Sequence, residues 1–181
     1  MSEHPELRAN EYKRGLLIPH TMSKLKVRDL MTTQVVTLKP DDTVKKAVIK
    51  FALDNVSGAP VVDNRNHLMG ILSENDILGL ILDYQDKLEE DNPDDVMLNY
   101  PMDSAMEEGK LKSISDEISN MVISDIMKRT VLTTSPDTTI MEVLRAMIEM
   151  KVNRLPVVEK GVLVGIISRG DIIFALYKKK G

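Results

Sequence analysis

Apolar residues recur in two registers along this chain, and each register appears twice. Val44, Ala47, Val48, Phe51, Ala52 and Val56 fall at the i, i+3, i+4 spacing of one helix face, and Ile140, Val143, Leu144, Met147, Ile148 and Val152 fill the same columns further on. Short β-branched runs precede each stripe, Gln34 to Leu38 and Thr130 to Thr134, and stop at Pro40 and Pro136. After each stripe come two short, nearly continuous apolar runs joined by polar residues. Pro60-Val61-Val62 is followed by Leu68 to Leu72, and Pro156-Val157-Val158 by Val162 to Ile167. Such pairs predict β-hairpins in a sheet buried against helices. A closing helix follows in each half, from Asp76 to Asp83 and from Asp171 to Tyr177.

The two halves are copies of one βαββα unit. Val27-Arg-Asp-Leu-Met31 answers to Ile123-Ser-Asp-Ile-Met127, and Pro40-Asp41 to Pro136-Asp137, at an offset of 96 positions. The offset drops to 95 after the second prolines, because Asp63 to His67 is a longer turn than Glu159-Lys160-Gly161. Gly70-Ile71-Leu72-Ser73 then matches Gly165-Ile166-Ile167-Ser168. A length change confined to a turn is where a repeat tolerates one. The organisation read from these matches is an N-terminal arm at 1–22, a first repeat at 23–82, an acidic linker or insertion at 83–120, and a second repeat with a basic tail at 121–181.

Composition narrows the chemistry. Cysteine is absent and the three histidines are scattered, which excludes disulfides, iron–sulfur clusters, thiolate zinc sites and a thiol nucleophile. No acid–base pair, nucleophile elbow, P-loop or metal-ligand spacing appears, so an enzyme is not expected. The opening MSEHPELRAN is charged with no apolar stretch behind it, and the longest apolar run, Ile77 to Leu82, is interrupted by Gly79. Neither a secretory leader nor a membrane span is expected, and a cytoplasmic protein is the default. A net charge of −4 argues against nucleic acid, and Lys178 to Lys180 reads as a solvated end. Ten acids against the single base Lys87 between Asp83 and Glu108 read as a solvated linker, although Met97-Leu98, Tyr100 and Met102 leave a short docking helix or partner contact open. The Gly15 to Ile18 patch of the arm raises packing on the body or on a second subunit.

Ser73-Glu74-Asn75-Asp76 and Ser168-Arg169-Gly170-Asp171 stand between a strand and a helix. As a capping box, the serine hydroxyl meets an orphan N–H while the carboxylate three residues on reaches back. As a ligand site, the same helix start offers N–H groups to a phosphate and a carboxylate to paired ribose hydroxyls. Both readings stand on the residues alone.

The order Asp-Leu-Met, short strand, Pro-Asp-x-Thr-Val/Ile, amphipathic helix, Pro-Val-Val, and Gly-Ile-x-Ser-x-x-Asp-Ile resembles the CBS domain, and it occurs twice, over residues 27 to about 82 and 123 to about 177. The resemblance implies an α/β (α+β) fold of two repeats packed as a pseudo-twofold pair, a regulatory role in binding AMP, ADP or ATP, and a homodimer read by an unidentified protein partner. It carries ribose binding over to Asp76 and Asp171, with Ser73 and Ser168 beside them. Arg154 matches a phosphate-binding arginine of related members, in a cleft that the resemblance leaves open between that of Asp76 and that of Asp171, because family sites draw on both copies, whereas Asn153 departs from the histidine that often precedes it. Arg169 adds a cation. The first copy has Ser57-Gly58-Ala59 and Glu74 at those places, so its cleft is expected to offer no cation and to prefer a neutral or cationic ligand such as S-adenosylmethionine, or to stay empty. Val35, Val36, Ala59, Val131, Leu132 and Leu155 are the candidates for contact with adenine, and each also reads as plain core, while Pro60 is a ligand-binding candidate beside them. Thr33, Lys128, Arg129 and Thr130 are weaker phosphate candidates. A ligand-free structural or transcription-related interaction module, acting through linker, arm or dimer surface, is the competing expectation.

Overall fold

Each amphipathic stripe forms a helix with a defined start, but each helix ends before the last residue of its stripe, Val56 in the first and Val152 in the second. In the computed structural model, which describes residues 24–91, 112 and 115–178, helix α1 spans Val44–Asp54 with Thr43 as its N-cap, the hydroxyl accepting from the Lys46 N–H. It ends at Asn55, whose left-handed φ of 52° stops the helix. Its twin, Ile140–Glu149, carries a full capping box between Thr139 and Glu142. Expectations placed on the arm at 1–22, on Met97 to Met102 and on the tail after Lys178 lie outside the described residues.

Both predicted hairpins form. Strands β1 (Gly58–Val62) and β2 (Leu68–Ser73) pair antiparallel, with Gly58 opposite Ser73 and Pro60 opposite Ile71. Strands β3 (Arg154–Glu159) and β4 (Val162–Ser168) form the second sheet, turning through Lys160 at φ 51° and Gly161 at φ 85°. Two successive left-handed residues match the right-handed twist of the flanking strands. The closing helices start directly at the strand ends: α2 is Glu74–Asp91, running past the expected stop at Asp83, and the second is Arg169–Lys178.

The leading strands are reduced. Gln34 to Leu38 and Thr130 to Thr134 form no strand and join their sheets through isolated parallel bridges, Leu38 with Val61 and Thr134 with Val157. Leu38 donates to the Pro60 carbonyl and accepts from Val62, and Thr134 does the same with Pro156 and Val158. Pro60 and Pro156 have no N–H to extend the ladder, so one residue is what the pairing sustains.

The contacts divide the chain into two units, and each unit contains parts of both repeats. Among the described residues, one unit takes 34–91, 112, 115–132 and 160–163, and the other takes 24–33, 133–159 and 164–178. In the first, helix α3 (Ile123–Ile126), with Ile118 before it and Met127 after it, is buried with Leu38, Val44, Ala47, Phe51, Ala59, Val61, Leu72 and Ile77. In the second, Val27 of the turn Val27–Asp29 is buried with the residues of α4 (Ile140–Glu149), β3, β4 and α5 (Arg169–Lys178), among them Met147, Leu155, Ile167 and Ile172. The hydrogen bonds repeat at matched positions. Ile123 and Ser124 donate to the carbonyls of Asp42 and Pro40, as Val27 and Arg28 donate to those of Thr138 and Pro136. The two Asp-x-Met lead-ins are therefore exchanged between repeats.

Candidate ligand-binding site

At the strand-to-helix junction of each repeat the carboxylate reaches back to the serine as the sequence predicts, and in the second repeat the serine hydroxyl also takes a helix N–H. Asp76 Oδ2 accepts from the Ser73 N–H at 2.8 Å and from the Ser73 hydroxyl at 2.6 Å. Asp171 Oδ2 accepts the same pair from Ser168 at 2.8 and 2.7 Å, and the Asp171 N–H donates back to the Ser168 hydroxyl at 3.2 Å. Each helix start is also tied to the residue that precedes the hairpin, the Glu74 N–H to the Ser57 carbonyl and the Arg169 N–H to the Asn153 carbonyl. Cap and candidate site thus use the same atoms. In both junctions one carboxylate oxygen is committed to serine.

The other oxygen separates the two units. Asp76 Oδ1 meets the Lys128 ammonium at 2.6 Å, with the Asp76 side chain 9% exposed and that of Lys128 68% exposed. Burial by itself would raise the Asp76 pKa, but hydrogen bonds from Lys128 and Ser73 and the charge of the ammonium outweigh it and hold the carboxyl below its ordinary range. Lys128 is placed by its main chain, whose N–H and C=O exchange hydrogen bonds with Ile71 at 2.9 Å each. That approach needs Gly70, where a Cβ would stand 2.8 Å from the Lys128 carbonyl oxygen and 2.8 Å from the Met127 sulfur. The matched position in the other unit is Thr32, bridged to Ile166 in the same way.

This corrects the expectation that the first copy offers no cation. The cation comes from the second repeat, carried in by the exchanged lead-in. The sequence marks only a charge at one of two otherwise matched positions, Met127-Lys128 against Met31-Thr32, and does not name its partner.

The remaining candidates divide between the units. With Asp76 lie Val36, half-buried against the core, Leu132 at 37% exposed, and exposed Thr130. Ala59 and Pro60 are buried in β1, Ala59 within the hydrophobic cluster. With Asp171 lie exposed Asn153 and Thr33, half-buried Arg154, and Leu155 in the core. The Arg169 guanidinium donates to the Met147 carbonyl at 2.9 Å, holding the last turn of α4, while its Nε is buried without a partner. Arg154 has no counterpart in the first hairpin for a steric reason: a Cβ at Gly58 would lie 2.9 Å from the Leu72 carbonyl oxygen and 3.0 Å from Ser73.

A feature the sequence reading missed lies on the helical side of the same unit. A cavity of about 470 Å³ is lined by Val44, Val48 and Ile49 of α1, Ile77 and Ile81 of α2, and Ile118. Val48, Ile49 and Ile81 sit there half-exposed rather than in the core. Neither Ser73, Asp76 nor Lys128 lines it. Among the described residues no group of His, Asp and Glu side chains could hold a metal ion, and no helix is long and apolar enough to cross a membrane.

An α+β protein of two repeated units, each opening its last helix with a serine–aspartate pair, is what fold and site define. The chain belongs to the CBS-domain family, whose model matches residues 27–83 and 123–178. It is 31% identical over 155 residues to protein MJ1426 of Methanocaldococcus jannaschii, covering 83% of this chain and 90% of that one. Among solved structures it is similar to the CBS domain of a CBS domain containing membrane protein from Sphaerobacter thermophilus, with a TM-score of 0.65, 26% identity, and 92% and 97% of the two chains covered. It is also similar to CBSX2 in complex with AMP, with a TM-score of 0.63, 26% identity, and 86% and 98% covered.

Proposed function

We propose that this chain is a regulatory, non-catalytic module of the cytoplasm that binds an adenosine-containing ligand of the AMP, ADP or ATP type. The observation that carries the reading is the pair of pre-formed junctions in which Asp76 and Asp171 stand at the first turn of a helix, each held in place by a serine. A carboxylate fixed in this way accepts ribose hydroxyls without having to be ordered at the moment of binding. Both units now offer a cation on their own residues, Lys128 in one and Arg154 with Arg169 in the other. The similarity to CBSX2, solved with AMP, supports the same ligand class here. Occupancy then biases a conformational equilibrium that a partner protein reads.

Thermal melting with AMP, ADP, ATP and S-adenosylmethionine tests the reading, because a ligand of the folded state raises the midpoint. At least one adenosyl ligand is expected to do so. Asp76→Ala or Asp171→Ala is expected to weaken its binding about ten- to a hundredfold, the loss of charged hydrogen bonds of roughly 1.5 to 3 kcal/mol. Unchanged affinity in both variants overturns the ribose assignment.

The apolar cavity and the half-exposed Val48, Ile49 and Ile81 favour self-association through the helical face, and hence a homodimer. They also support the second reading, an interaction module with empty clefts. No midpoint shift with any of the four ligands would leave that reading standing alone.

A further inference from the structure

We propose that Lys128 makes the Asp76 site selective for phosphorylated nucleosides by changing partners, from the Asp76 carboxylate in the empty site to the ligand's phosphate in the filled one; this rests on the adenosyl-ligand reading given above. The two oxygens of Asp76 have different tasks. Oδ2 already takes both donors of Ser73, which fixes the carboxylate and caps α2. Oδ1 is the oxygen left for a ribose hydroxyl, and it is held by the Lys128 ammonium. A ligand that uses Asp76 as its ribose acceptor therefore competes with the ammonium for that oxygen.

What happens next depends on the ligand's charge. A neutral nucleoside displaces an ammonium from a carboxylate that is 9% exposed and returns nothing ionic in exchange, so it loses a charged contact. A nucleoside phosphate brings its own anion, and the displaced ammonium finds a new acceptor on it. Lysine suits the exchange: it is a point charge with three donors on a flexible stem, so it is not bound to one geometry as a guanidinium fork is. Its Cα is anchored by the two hydrogen bonds to Ile71, and its side chain is 68% exposed, so the movement is a rotation of side-chain bonds with no change of backbone. The same ion pair keeps the carboxylate ionised and positioned while the site waits. The device is specific to this unit, because Thr32 stands at the matched position of the other.

Calorimetric titration of AMP and adenosine tests the exchange in the full chain carrying Asp171→Ala, which confines the reading to the Asp76 site. AMP is expected to bind at least tenfold more tightly than adenosine. Lys128→Met is expected to weaken AMP about tenfold or more while leaving adenosine unchanged or tighter, and Lys128→Arg to keep most of the preference. Should Asp171→Ala fail to fold, a two-site titration of the chain with Asp171 intact serves instead, in which Lys128→Met must alter one class of sites only. An AMP-to-adenosine ratio that Lys128→Met does not change overturns the partner exchange and leaves nucleotide binding standing. Equal affinity for the two ligands with Lys128 in place overturns it too. Failure of both ligands to bind any form of the chain removes the adenosyl-ligand reading, and this proposal with it.

Discussion

Asp42 does for the fold what Asp76 does for the site. Its carboxylate accepts from the Lys39 N–H at 2.8 Å and pairs with Lys46, while its carbonyl receives the N–H of Ile123. It is the buried charged residue among those described, and burial acts to raise its pKa, yet Lys46 and the Lys39 N–H bring the carboxyl below its ordinary value. The folded pKa is the lower one, so the stabilisation is complete above the unfolded value near 4 and disappears as pH falls through the folded value. Asp42→Asn is expected to cost about 1 to 3 kcal/mol at pH 7 in urea unfolding, with the gap to the unmodified chain closing as the pH is taken below about 4. A gap independent of pH would assign the loss to packing. Gly70→Ala acts on the backbone instead. Its Cβ would push away the Lys128 carbonyl, and a loss of about 1 to 3 kcal/mol is expected together with weaker AMP binding, whereas a chain of unchanged stability would show that the segment can shift at no cost.

At the scale of elements, the helices follow their stripes, and the departures have physical causes. Thr139 and Glu142 close the capping box of α4, with the Thr139 hydroxyl 2.8 Å from Glu142 Oε2 and the Thr139 N–H at 3.0 Å. Thr139→Ala should lower stability by about 1 kcal/mol in denaturant unfolding, and a change below a few tenths would mean that packing of Ile140, Val143 and Met147 alone sets the start of the helix. The α1 stripe was wider than the core it serves. Val44, Ala47 and Phe51 are buried, but Val48 is turned to the cavity, because periodicity states that a face is apolar without stating what covers it. The leading strands failed to extend for a reason the sequence does contain. Pro60 and Pro156 remove a donor from the edge they face, yet a β-branched run reads as a strand regardless. The serine–aspartate spacing of three was legible in both copies because a capping box is a local object. The Lys128–Asp76 pair was not, since its partners lie in different repeats and meet only through the exchange.

For the whole molecule, that exchange is the principal structural result. A fragment of 24–91 lacks Ile118, Ile123 and Met127 from its core, and a fragment of 115–178 lacks Val27. Each alone is expected to stay unfolded by circular dichroism, and mixing the two should restore helix content; independent cooperative folding of either would show that the exchanged lead-ins are dispensable. The sequence by itself determined the repeat, the order of elements in each copy, the helix faces, the hairpins and the two capped helix starts, because all of these arise from neighbours within a few residues of each other. Which lead-in completes which core was decided by tertiary structure alone. Val27 to Met31 and Ile123 to Met127 carry the same apolar pattern at matched positions, so an internal repeat makes docking on the first copy and docking on the second indistinguishable in the sequence. Folding resolves that degeneracy, and in doing so it brings the one lysine of the pair, Lys128, to the carboxylate of the other repeat, Asp76.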